Sequence, residues 1–181
     1  MPADSPGRGA PEAGARRPLA LLFVYTWDIL SALLVFFIAL AAFGGGREQQ
    51  GRVVSVPLAV QILQALAFVA LGAALIIVGT LLTRRQAWVR RAQIGVLAMK
   101  IVLESGSTGA TWVVDASART WGTLLGSLLL VLLDLLALLA VTGPRLRAWF
   151  TEPGEIPLYL GSLVVFWAAA SVAFFILDIV S

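Results

Sequence analysis

Four charged residues stand in the most apolar parts of this chain: Asp28, Lys100, Asp134 and Asp178. A charge at membrane depth is costly, so such groups turn toward neighbouring helices and commonly mark a proton or ion route. Asp28 lies nine residues from the start of its apolar run and Asp134 seven from the end of its own. At 1.5 Å per residue, both sit roughly 10–14 Å deep, at one level if the two runs enter from the same side. Side by side they would form a proton-binding pair. The competing reading, preferred on sequence alone, has each Asp bonding a local hydroxyl or backbone group, such as Ser31, Ser127 or Thr26, in the service of packing.

Lys100 is four residues from the outer end of its segment, and Asp178 is near the outer end of the last one. The two can pair, but Lys100 can also meet Glu104 one turn away or snorkel outward, and snorkelling is the preferred reading. Gln61 and Gln64 lie one turn apart and would line a polar path or, as preferred, bond across helices for about 0.6 kcal/mol each. Gly122 and Gly126 form a GxxxG that permits close helix packing within a subunit or between subunits.

The chain has no Cys, His or Asn. That removes disulfides, thiolate and imidazole metal sites, His bases and N-glycosylation sequons, so no metal site, cofactor or catalytic set is expected. No P-loop, dinucleotide glycine motif, HExxH or nucleophile elbow is present. Of 181 residues, 60% are hydrophobic and 13% charged, too few polar groups to coat a soluble globule. The net charge of +3 sits in short arginine clusters beside apolar runs, which is the pattern of membrane topology signals rather than of a nucleic-acid surface.

The elements that must position these residues are apolar runs long enough for a bilayer. Thr120 to Val141 is the clearest, with eleven leucines and one charge. Thirteen strongly apolar residues at about −0.5 kcal/mol each outweigh about +3 for the central Asp, so the segment inserts. Residues 1–17, rich in Pro, Gly and Ala, read as a disordered cytoplasmic tail, and 18–181 as a single transmembrane domain with spans near 19–43, 56–83, 87–104, 120–142 and 156–180. Gly44–Gly46 should stop the first helix, Ser55 cap the second, Asp115 cap the fourth, and Gly143–Pro144 end it.

The 87–104 segment is ambiguous. Gln93, Lys100 and Glu104 fall in one narrow sector near Arg90, a thin stripe unlike the broad charged face of a surface helix. That favours a span whose stripe faces other helices. Charge counting does not decide it, because nine basic residues lie inside and four outside whether or not the segment spans. The expected fold is an all-α polytopic helical bundle of five transmembrane helices, the alternative being four plus one interfacial helix. Trp88, Trp112, Trp121 and Trp149 fall near predicted interfaces and read as anchors, whereas Trp27 does not.

The segment Thr83-Arg84-Arg85-Gln86-Ala87-Trp88-Val89-Arg90-Arg91, then an Asp-bearing span closing on Pro144-Arg145-Leu146-Arg147-Ala148-Trp149-Phe150, resembles small four-span bacterial membrane proteins of uncharacterised function. The resemblance covers residues 58–150. It implies that the stretch after the Trp and arginine cluster is a span and that the Arg-Ala-Trp-Phe end is cytoplasmic, and it brings no functional residues. With one Lys against twelve Arg, the expectation is a multi-pass protein of a bacterial cytoplasmic (inner) membrane, N-terminus inside and C-terminus outside. Its expected partners are lipid and either another copy of itself or another membrane protein, with no nucleic acid. The expected role is a non-enzymatic structural or accessory subunit. The runner-up is a small oligomeric proton- or ion-coupled channel or carrier using Asp28 and Asp134, and a lipid-modifying enzyme ranks last.

Overall fold

The computed structural model of the chain describes residues 17–41, 43, 47–49, 52–54, 57–114 and 120–180. In chain order these form α1 (Leu19–Ala41), a hairpin of β1 (Arg47–Gln49) and β2 (Arg52–Val54), α2 (Leu58–Leu81), α3 (Ala87–Val114), α4 (Trp121–Thr142), a short α5 (Pro144–Trp149) and α6 (Leu158–Val180). The expected tail over residues 1–16, the Gly44–Gly46 stop and the Ser55 and Asp115 caps lie outside the described residues. Leu- and Ala-rich runs without internal Pro favour helix, and an apolar surrounding enforces it, since a helix bonds its own backbone groups internally. Among the described residues three helices, α1, α2 and α4, are long and apolar enough to cross a membrane by length and composition.

The five long helices alternate in direction. One apolar cluster joins Leu21 at the start of α1, Leu82 at the end of α2, Val89 at the start of α3, Val141 at the end of α4 and Leu160 at the start of α6. These helix ends therefore share one end of the bundle, where the arginines also collect. A second cluster, with Ala32, Val35, Leu71, Leu75 and Trp167, fills the other half. Along α1, the buried polar residues Asp28 and Ser31 fall between the two.

The third helix differs from the sequence reading for a physical reason. The helix begun at Ala87 does not stop at Glu104 but runs through Val114, about 42 Å at 1.5 Å per residue. Gly, Ser and Thr weaken a helix in water by offering the backbone alternatives, an effect that fades in an apolar surrounding, where a helix must bond its own backbone groups. The fourth helix begins at Trp121 and is capped by Thr120, whose hydroxyl accepts the Thr123 N–H at 3.2 Å.

At the basic end α4 stops at Gly143, and Pro144 opens α5, a first-turn position where its missing N–H costs nothing. Arg90 donates to the carbonyls of Val141 (2.9 Å) and Thr142 (3.3 Å), placing a cation on the C-terminal end of the α4 dipole. The α2–α3 and α5–α6 connections are zipped together, Glu152 N–H donating to Arg85 and Ala87 N–H to Glu152, both at 2.9 Å. Gly154 permits this close approach, since a Cβ there would lie 2.9 Å from the Trp88 ring.

Candidate functional site

A layer of buried polar side chains crosses the bundle. Asp28, Gln93 and Asp134 are 0% exposed and Lys100 3%, so Lys100 turns inward instead of snorkelling. Its ammonium meets both oxygens of Asp134 at 2.8 and 2.7 Å, Glu104 Oε1 at 3.3 Å and Ser31 Oγ at 3.5 Å. Trp27 Nε1 donates to Asp134 Oδ1 at 2.7 Å, and the Lys100 ammonium stands 5.3 Å from the Trp27 ring centroid. Asp28 is held separately: Gln93 Nε2 donates to its two oxygens at 2.8 and 2.9 Å.

Each position follows from helix geometry. Neighbours along a helix point about 100° apart, so Trp27 reaches α4 while Asp28 reaches α3. The Gln93–Lys100–Glu104 stripe faces the interior because α3 packs between α4 and other helices. Gly79 on α2 leaves room for Asp28, since a Cβ there would lie 3.4 Å from both its Cβ and its Oδ2.

Asp28 and Asp134 thus lie in one polar layer, each with its own partners. The local hydroxyls take other parts: Ser31 approaches Lys100, Ser127 lines a cavity, and Thr26 is exposed. Asp178 is in α6, its side chain outside the described residues. Gln64 lines the cavity; Gln61 is half-buried and away from it. Among the described residues no neighbouring helix comes within 4 Å of a Cβ placed at Gly122 or Gly126.

The cavity has a volume of about 290 Å³ and is bounded by α1, α2, α3, α4 and α6. Lys100, Glu104, Ser31, Gln64, Thr108 and Ser127 give it a polar side; Phe68, Leu71 and Trp167 are part of its apolar wall. Glu104 Oε2 is buried and has no hydrogen-bond partner.

No family model fits the chain, and neither a curated protein nor a solved structure is similar to it. The chemistry of the cluster itself is what remains to read. Among the described residues Lys100 is the one cation in contact with Asp134 and Glu104, and Asp28 is bonded to a neutral amide. Two fully buried carboxyls and a partly exposed one, Glu104 at 30%, thus share one ammonium, and an uncompensated buried charge costs several kcal/mol. Neutrality calls for additional positive charge, as protons or a bound cation. Trp27, Gln93, Glu104 and Trp167 are site residues that the sequence reading did not nominate. The signals were there: Trp27 was the Trp set apart from the predicted interfaces, and the other two polar residues lay on the α3 stripe with Lys100.

Proposed function

We propose that this protein is a non-enzymatic multi-pass membrane protein that takes up and exchanges protons or small cations at the layer formed by Asp28, Lys100, Glu104 and Asp134. The supporting observation is the excess of interior carboxyls over cations beside a cavity. This puts the channel or carrier reading ahead of the accessory-subunit reading preferred on sequence alone. The accessory reading keeps one specific support, the unpartnered α4 face around Gly126.

Five spans are part of the proposal. Burial of Gln93 and Lys100 favours α3 as a span over a helix lying flat on the bilayer. The shared end of the bundle carries Arg17, Arg84, Arg85, Arg90, Arg91, Arg145 and Arg147, which by the positive-inside rule faces the cytoplasm. The bacterial inner membrane is the corresponding location. With no native Cys to interfere, Ser117→Cys in intact cells is expected to react with an impermeant maleimide from outside and Glu155→Cys only after permeabilisation. Labelling of position 117 from inside alone would replace five spans with four.

Reconstituted into liposomes, the wild type is expected to dissipate an imposed proton gradient or exchange it against a cation gradient. Asp28→Asn and Asp134→Asn should fall to background. No flux in any of the three would overturn the exchange reading and leave the accessory one.

A further inference from the structure

We infer that the cavity is a binding site for a small organic amine, bound as its cation with the ammonium on the Glu104 carboxylate and its apolar body against Phe68, Leu71 and Trp167. The inference deepens the exchange reading by naming a substrate class, and it depends on that reading only for coupling to proton movement.

The sign of the ligand follows from which valences are already used. The Lys100 ammonium has Asp134, Glu104 Oε1 and Ser31 around it, so its three hydrogens are committed and none is left for an anion. Asp134 is likewise taken, by Lys100 and Trp27. What remains on the cavity wall is an acceptor, the Glu104 carboxylate, 30% exposed and held by Lys100 only at 3.3 Å. A ligand that donates hydrogen bonds and carries positive charge completes it, in place of a proton.

Size and shape narrow the class. At about 290 Å³ the cavity is at the small end of the roughly 300–1,000 Å³ range of ligand pockets, which suits a small ligand. The Phe68 and Trp167 rings and Leu71 suit an aromatic or branched apolar body, and the Trp ring also favours a nearby cation. Hydroxyls of Ser31, Thr108 and Ser127 and the amide of Gln64 can receive further N–H groups of a primary amine.

The probes are phenethylamine, the neutral isostere 2-phenylethanol and the anion 3-phenylpropionate, titrated calorimetrically into the purified full-length protein in detergent, with protein-free micelles subtracted. Phenethylamine is expected to bind at least about thirtyfold tighter than either of the others, as for a buried charge pair against a ligand that leaves it unmade. Glu104→Gln, nearly isosteric, should remove that preference; Ser127→Leu, which fills the cavity without touching a charge, should abolish binding. Equal binding of the alcohol, preference for the carboxylate, or an unchanged Glu104→Gln variant would overturn the inference. Amine binding that needs Glu104, without proton flux, would sustain this inference and sink the exchange reading. Flux that needs Asp134, without amine preference, would do the reverse.

Discussion

Replacing Lys100 by methionine is expected to cost about 3–5 kcal/mol of stability, the range for removing one partner of a buried ion pair. The substitution keeps most of the side-chain volume, so a cavity contributes little. What it removes is the ammonium that holds both oxygens of Asp134 and one of Glu104, and two carboxyls are left facing each other with only the Trp27 N–H in support. Pairing it with Asp134→Leu should recover most of the loss, because an apolar pair of similar volume can replace a buried ion pair at little net cost. The remainder, about 1–3 kcal/mol, is the unpaired Trp27 N–H. The expected order, from most to least stable, is therefore wild type, then the double variant, then Lys100→Met. Unfolding in mixed micelles followed by far-ultraviolet circular dichroism measures it. If Lys100→Met unfolds with the wild type, the Lys100–Asp134 pair does not exist in the membrane.

How much of this site could be read from the sequence divides along a physical line. Relative level was legible, because rise per residue is fixed: both Asp28 and Asp134 are buried, and Trp27, the residue before Asp28, bonds Asp134. The inward stripe of α3 was legible too, since Gln93, Lys100 and Glu104 share a sector in any α-helix. Partner choice was not. Whether Lys100 snorkels or turns inward is decided by what waits on the neighbouring helix, and the rotation of α4 that presents Asp134 comes from packing that no local pattern encodes. Trp27 and Asp28 show the same limit, adjacent in sequence yet serving different helices. Water-based propensities misled at the end of α3, where Ser105, Gly106 and Gly109 remain helical. At the other end, Pro144 begins a helix as well as ending one.

The second large effect is expected at Gly79, where the polar layer depends on a missing side chain. A Cβ there would stand 3.4 Å from Asp28, an ordinary contact, so Gly79→Ala should be close to neutral, with up to about 1 kcal/mol of helix propensity on its side. Gly79→Leu has no such room. Its branches would enter the space of the Asp28 carboxyl, which is already fixed at 2.8 and 2.9 Å by Gln93, and the expected loss is about 1–3 kcal/mol from overpacking. Function should fail with it, since Asp28 moved off Gln93 no longer lies in the layer with Asp134. The matched control is Gly126→Leu, which adds the same atoms where nothing lies within 4 Å and should leave monomer unfolding unchanged or slightly improved. The two leucines then separate two uses of glycine by different readouts. Loss of stability and flux at Gly79 marks a close approach inside one chain. Loss of a crosslinked dimer at Gly126, with stability intact, would place a second copy of the protein against α4.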